Sequence, residues 1–365
     1  MLGRRSAALR RPHHGVLKGV LRLFLSLGEA ERIAVRCDGG ARCARAQRQP
    51  KKDGAKTGHA RTLIGLCGNF KRQDALPMPK LLCCGLSYTA GAWVPALSAQ
   101  GWRLAASVRS PEKAAAVEGQ GITPEPLDAT GRLPERALEG VTHLLVSAPP
   151  GAQGDPILPS LAEADAGALR SLAWIGYLST TGVYGDHGGG WVTEETPVSP
   201  ASERGRRRVQ AERGWAAFGL AAGVAVQVFR LPGIYGPGRS QIEALREGTA
   251  RRIKKPGQFF SRIHVEDIAG ALSAAIARPG PGVFNLCDDE PAPPDEVVAY
   301  AAGLLGVTAP PEEPFETAQT TLSEMARSFY AESKRVSNAK AKRDLGWCPR
   351  YPTYREGLSA IARGT

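Results

Sequence analysis

The residues best suited to chemistry lie just after position 84. Gly85-Leu86-Ser87-Tyr88-Thr89-Ala90 follows a short apolar run, Lys80 to Cys84. A glycine that ends a buried strand and opens a helix lets the backbone pass close under a diphosphate, in the pattern G-x-G-x-x-G/A. Gly85 takes the tight-turn position and Ala90 the position of close helix–strand packing. Ser87 stands where the second glycine belongs. Its side chain is expected either to crowd a pyrophosphate or to donate its hydroxyl to a phosphate oxygen. The amides of Tyr88 and Thr89 fall at the helix start, where the dipole favours an anion. The next strand ends Ser107-Val108-Arg109-Ser110, and no acid lies between Gly101 and Pro111. An acid there would accept from a ribose 2′-hydroxyl; Arg109 and its flanking serines suit a 2′-phosphate instead. NADP is therefore the expected cofactor, with NAD second. The alternative for Arg109 is a solvated loop arginine.

The elements that must hold these residues are legible as alternating strands and helices. Lys80 to Cys84, Arg103 to Val108, Thr142 to Ser147, Leu172 to Ser179 and Val224 to Phe229 are apolar runs of strand length, and a further short strand ends near Leu127-Asp128. Helices are expected over about 90–100, from Pro111, over about 203–219 and around 294–304. Such alternation builds βαβ units and a parallel sheet, an α/β doubly wound Rossmann architecture. The last third mixes short strands and helices, which fits a small C-terminal substrate lobe, formed mainly by about 235–365.

Charge separates the chain into two parts. The net charge of +12 sits in residues 1–77, whereas residues 78–365 balance to zero. A neutral body has no general pull on phosphate backbones, so no nucleic acid is expected on it. The basic head, 1–77, reads as a disordered extension, with a targeting peptide or a nucleic-acid or membrane-surface arm as alternatives. No apolar run reaches the length of a membrane span. The seven cysteines form no C-x-x-C pair, and no His/Cys/Asp/Glu array suggests a metal. Reduced thiols and a cytoplasmic protein are expected.

Further along, several segments carry a resemblance: Ser179 to Gly185 (STTGVYG), Phe229 to Pro237 (FRLPGIYGP), Arg262 to Ala269 (RIHVEDIA), Phe284 to Asp288 (FNLCD) and Leu345 to Pro349 (LGWCP). In order and spacing, from about Lys80 to the C-terminus, the chain resembles the extended, here atypical, short-chain dehydrogenase/reductases of the NAD-dependent epimerase/dehydratase family. The resemblance implies cofactor contacts at Gly85, Tyr88, Thr89 and Arg109, near Asp128 by the adenine, and at Ser147, Ala148 and Pro149 by the ribose. It implies that Phe284 to Asp288 is the strand opening the substrate lobe, and it implies a homodimer built on the long helices beside the mid-sheet. Four arginines between Arg204 and Arg208 argue against a dry helix bundle there.

The catalytic pair departs from that family. Its Tyr-x-x-x-Lys maps, counting back from Glu212, onto Arg204 and Arg208. A guanidinium stays protonated at ordinary pH and is a poor proton shuttle. The family's hydroxyl position survives as Thr180, which can orient a substrate oxygen or serve only as a turn hydroxyl. Arg204 and Arg208 share one helical face, suited to a carboxylate or phosphate, or else are solvated like Arg206 and Arg207. Tyr184, Tyr235 and His187 are candidate substitute acids, each with a packing or surface-loop alternative; His264 is expected to bridge the turn before its helix. Two functions remain open: an NAD(P)-dependent epimerase-, dehydratase- or reductase-like oxidoreductase acting on a nucleotide sugar or other small polar metabolite, or an inactive NADP-binding sensor or regulatory protein.

Overall fold

The computed structural model describes residues 78–364; the basic head expected to be disordered lies outside the described residues. In chain order the strands are β1 (Lys80–Cys84), β2 (Arg103–Val108), β3 (Thr123–Pro126), β4 (His143–Val146), β5 (Trp174–Thr180), β6 (Trp191–Val192), β7 (Ala225–Leu231), β8 (Gly233–Tyr235), β9 (Arg252–Lys254), β10 (Arg262–His264), β11 (Gly282–Asn285), β12 (Glu312–Pro314) and β13 (Arg335–Val336). The helices used below are α1 (Tyr88–Ala99), α2 (Pro111–Glu118), α3 (Leu158–Glu163), α4 (Glu203–Ala222), α5 (Gln241–Arg246), α6 (Val265–Ala277) and α7 (Pro294–Leu305). They are followed by α8 (Phe315–Ala318), α9 (Glu324–Tyr330), α10 (Ala339–Leu345) and α11 (Tyr354–Arg363).

Among the described residues, seven strands form one sheet in the order β11-β7-β5-β4-β1-β2-β3, every neighbouring pair parallel. β1 shows why: Leu81 and Cys83 enter one core layer, Leu82 and Cys84 the other. A strand buried on both faces needs a continuous apolar run and helices above and below. Trp93 and Leu97 of α1 and Leu272 and Ala275 of α6 cover the first face. Trp215 and Phe218 of α4 cover the second. Asp155 locks that second layer, accepting from the Trp215 indole N–H at 2.9 Å and from Ile157 N–H at 2.9 Å. Helix α4 runs three residues beyond the expected stop, to Gly223, whose left-handed φ of 67° ends it.

The order reverses between β1 and β4, where the chain leaves in opposite directions along the sheet. Ligands of such sheets bind in the crevice at the carboxyl ends of strands at this point. Within 235–365, β11 pairs with β7 at the edge of the main sheet, and α6 packs beside α1, where the Trp93 indole N–H donates to Ser273 Oγ at 2.8 Å. Phe284 and Asn285 thus lie in the sheet's edge strand, and Leu286 to Asp288 follow it. The remainder gathers around Tyr235, Ile242, Val297, Tyr354 and Leu358, with a smaller cluster of Ile253, Ala318 and Tyr330. Among the described residues, no helix is long and apolar enough to cross a membrane.

Candidate functional site

The ends of β1, β2 and β4 meet around Gly85. Its φ of 89° lies where side chains are disfavoured. Ser107 Oγ accepts from the Gly85 N–H at 3.0 Å, and Ser147 Oγ donates to the Gly85 carbonyl at 2.5 Å. A Cβ on Gly85 would sit 3.1 Å from Ser147 Oγ and 3.5 Å from the Ala148 nitrogen. The turn is thus clasped from both neighbouring strands and stripped of side-chain bulk. Ser87 caps α1, its Oγ accepting from Ala90 N–H at 3.3 Å. Its oxygen is turned into the helix start, so it does not crowd the turn, and its proton stays free to donate to a phosphate oxygen. The N–H groups of Tyr88 and Thr89 have no acceptor among the described residues and remain available to an anion.

The flanking groups divide. Arg109 is exposed and makes no ion pair or hydrogen bond among the described residues. The serines expected to help it are committed elsewhere: Ser107 to Gly85, and Ser110 as the cap of α2, accepting from Lys113 N–H at 3.4 Å. Asp128 follows β3, and its Oδ1 closes a turn, accepting from Thr130 N–H at 2.8 Å and Arg132 N–H at 2.9 Å. The Ser147 and Ala148 amides both donate to the Cys84 carbonyl, at 3.1 and 3.0 Å, which lays 147–149 along the Gly85 turn.

A second group assembles at the end of β5. Thr180 is half-buried and its Oγ1 accepts from Gly182 N–H at 3.2 Å, so its proton stays free to donate. The start of α4 packs closely on this turn: a Cβ on Gly205 would lie 3.0 Å from the Gly182 carbonyl oxygen. Arg208 is buried, 7% exposed, and its Nη1 bonds the Leu178 carbonyl and lies 3.5 Å from the Tyr177 hydroxyl. Arg204 is exposed; partial desolvation first, and Arg208 second, lower its pKa. The run of arginines is not uniform. Arg206 and Arg207 pair with Glu203 at 2.9 and 3.1 Å, whereas Arg204 and Arg208 form no ion pair among the described residues.

Tyr184 and Tyr235 are both buried. The Tyr184 hydroxyl, buried, donates to Asn285 Oδ1 at 2.8 Å and accepts from Arg230 Nη1 at 2.9 Å. Burial pushes its pKa up, and pushes the Tyr235 phenol up further. His187 is pinned by its loop: its ring Nε2 meets the Tyr184 carbonyl at 3.2 Å and its backbone N–H donates to the Ser333 carbonyl at 3.0 Å. His264 caps α6 as expected, Nδ1 accepting from Glu266 N–H at 3.3 Å.

Burial lowers the His264 pKa to about 4. Unfolded His264 therefore takes up a proton from about pH 6.5 downward that the folded ring refuses until about pH 4. Stability falls as pH falls through this window, by up to about 1.4 kcal/mol per pH unit from this ring. Asp267, whose carboxyl burial raises to about 6, opposes it there, because its folded state takes up the proton first. His264→Asn keeps a capping acceptor and leaves Asp267 in place. Urea titrations at pH 7, 6, 5 and 4 are expected to show the variant losing less stability than wild type below pH 6.5; parallel curves would remove His264 from the account.

Sequence reasoning passed over a buried network beneath this group. Glu212 and Arg230, both under a tenth exposed, pair through Arg230 Nη2 at 2.7 Å and Nε at 3.2 Å. Ser179 Oγ donates to the same carboxylate at 2.5 Å. The signal was present: a charged residue inside the apolar strand Phe229-Arg230-Leu231 needs a buried counter-charge. The Tyr88 side chain was also missed. Its hydroxyl donates to the Pro237 carbonyl at 2.9 Å, and the Arg239 guanidinium stands 5.8 Å from its ring centre. Beyond this bridge a cavity of about 420 Å³ is lined by Tyr235, Arg239, Glu243, Arg262 and Tyr354 among others, but not by Thr180, Arg204 or Arg208. Of the residues expected from the sequence to do chemistry, Tyr235 alone lines it.

The NAD dependent epimerase/dehydratase family model matches residues 168–287. A solved structure of a functionally unknown conserved protein from Silicibacter pomeroyi is 49% identical, with a TM-score of 0.70, covering 79% of this chain and 99% of that one. A 3-diazoavenalumate denitrifying reductase from a Streptomyces species is 32% identical over 139 residues, 36% of this chain and 45% of the reductase's length. The structure of a human epimerase family protein, SDR39U1 isoform 2, with NADPH, has a TM-score of 0.61 at 18% identity, covering 79% of this chain and all of that one. With the parallel sheet, its switch point and the stripped Gly85 turn already in place, residues 168–287 carry an NAD dependent epimerase/dehydratase family segment on a Rossmann-like fold shared with the NADPH-bound human neighbour.

Proposed function

We propose that this protein is an NAD(P)-dependent oxidoreductase of the epimerase/dehydratase type that acts on a small polar metabolite, a nucleotide sugar among the candidates, without a tyrosine–lysine pair. One observation carries the reading: the Gly85 turn, left-handed, clasped by Ser107 and Ser147, with the Tyr88 and Thr89 amides unengaged. That is a backbone cradle that a dinucleotide diphosphate fits and that a bare structural turn has no need to keep open. The NADPH complex of a human neighbour and the reductase name of a relative support it. A bound nicotinamide supplies or accepts the hydride. Ser147 to Pro149 would flank its ribose, and Arg109, free and exposed, would meet a 2′-phosphate. Thr180 retains a proton with which to orient a substrate oxygen. Arg204 and Arg208 hold charge and move no proton, so the substrate's proton comes from water or is not needed. The substrate lobe would be formed mainly by 235–365, less the parts that return to the sheet.

Titration of the full chain with NADPH, with NADH as control, tests this. Micromolar NADPH binding at least tenfold tighter than NADH is expected, and Arg109→Asp is expected to reverse the preference. Binding of neither would end the reading. A second reading, binding without turnover, draws on the missing proton-transfer pair. Oxidation of NADPH by sugar nucleotides or carbonyl compounds at rates above the uncatalysed reaction would set it aside.

A further inference from the structure

In the first two turns of α4, Arg204 and Arg208 form no ion pair among the described residues, and the acids nearest them are committed elsewhere. Glu203 is used up by Arg206 and Arg207. Glu212, one helical turn beyond Arg208, is used up by Arg230 and Ser179. Asp155, in the layer beneath, is used up by Trp215 and the α3 start. Arg208 is left 93% buried, with neutral oxygens on Nη1, the Tyr177 ring 5.7 Å from its guanidinium carbon, no carboxylate partner and Nε lacking any partner. A buried cation without a counter-charge is costly and seldom kept for stability alone. Arg204 lies four residues back on the same helical face, about 5–6 Å away between Cβ atoms. Arg208 bears on it only to disfavour its charge. Two like charges held side by side, at the positive end of a 20-residue helix whose start packs on the turn after Thr180, lack one thing: an anion.

We propose that Arg204 and Arg208 clamp an anionic group of the substrate, a carboxylate or a phosphate. The inference rests on the hydride-transfer reading of the cleft and narrows its substrate class. Exposed Arg204 offers a fork of N–H donors, and Arg208 adds its Nη2, which neither bonds the protein nor is sealed from solvent, enough to take both oxygens of a carboxylate or two of a phosphate. The substrate's acid would sit where the family's tyrosine stands, which orients the molecule by its charge and leaves its reacting atom toward Thr180.

The test uses the full chain, saturated with NADPH, titrated by calorimetry with inorganic phosphate and separately with benzoate. Millimolar or tighter binding of at least one probe is expected. Arg204→Gln is expected to weaken it tenfold or more, and Arg204→Lys to restore part of it. Arg206→Gln, outside the pair, should bind both probes as wild type does. Arg204 is exposed, so folding of its variants is not at stake as it would be for Arg208. Failure of both probes to bind wild type overturns the clamp. So does an Arg204→Gln variant that loses NADPH affinity but keeps probe affinity, which assigns the pair to the cofactor. Should NADPH itself not bind, the oxidoreductase reading falls while the apoprotein titration still decides the clamp.

Discussion

Gly85→Val is expected to lower NADPH affinity at least a hundredfold while the chain still folds. The backbone at Gly85 holds φ at 89°, a conformation that a β-branched residue occupies only under strain of about 1–3 kcal/mol. The first added carbon already meets Ser147 Oγ at 3.1 Å. Two further methyl groups must go toward Ala148 or out over the turn. Either way they fill the space through which a diphosphate would approach the Tyr88 and Thr89 amides. A hundredfold loss is about 2.7 kcal/mol, within reach of one blocked phosphate contact plus the strain. Fluorescence titration of NADPH against wild type and variant reads the affinity, and a urea melt reads the fold. Wild-type affinity in a folded Gly85→Val protein would mean that no phosphate passes over this turn. Gly85→Ala, with one carbon, should fall between.

The second large effect is on stability. Glu212→Leu leaves the Arg230 guanidinium buried with Tyr184 as its remaining partner. Removing one member of a buried pair costs about 3–5 kcal/mol, against a total stability of about 5–15 kcal/mol for a domain. The urea midpoint of Glu212→Leu is expected to drop accordingly. Glu212→Leu with Arg230→Met is expected to recover much of the loss, since a buried pair replaced by apolar groups of similar size is often near neutral. If the double variant is as unstable as the single, the cost arises from packing around Ser179 and Tyr184 rather than from the orphaned charge.

The parallel core was readable because its strands are buried on both faces and so are apolar without interruption, as in Lys80 to Cys84 and Thr142 to Ser147. Arg103 to Val108 was read to the residue because Gly101 and Pro111 mark both its ends chemically. The Gly85 turn was readable for the same reason, while the task of Ser87 was not: a serine before a helix is both a cap and a ligand until the coordinates show which amide it faces. The tyrosines were ambiguous because a Tyr in a turn carries the same symbol whether its hydroxyl is open or, like that of Tyr184, shared between Asn285 and Arg230. These partners lie 101 and 46 residues away, and nothing local announces them. The arginines of α4 were ambiguous for a different reason. Which of them Glu203 neutralises depends on helical geometry, and only that pairing separates Arg206 and Arg207 from Arg204 and Arg208.

The network around Glu212 ties α4 to β5 through Ser179 and to β7 through Arg230, and from there through Tyr184 to β11. Four elements around the cleft are bolted at one carboxylate, and that carboxylate lies a full turn of helix away from Arg208 and two from Arg204. The frame of the cleft and the reagents mounted in it are therefore separate parts on the same rod. Arg204, exposed, is exchangeable without unbolting the frame, whereas Arg208 also holds the Leu178 carbonyl of β5.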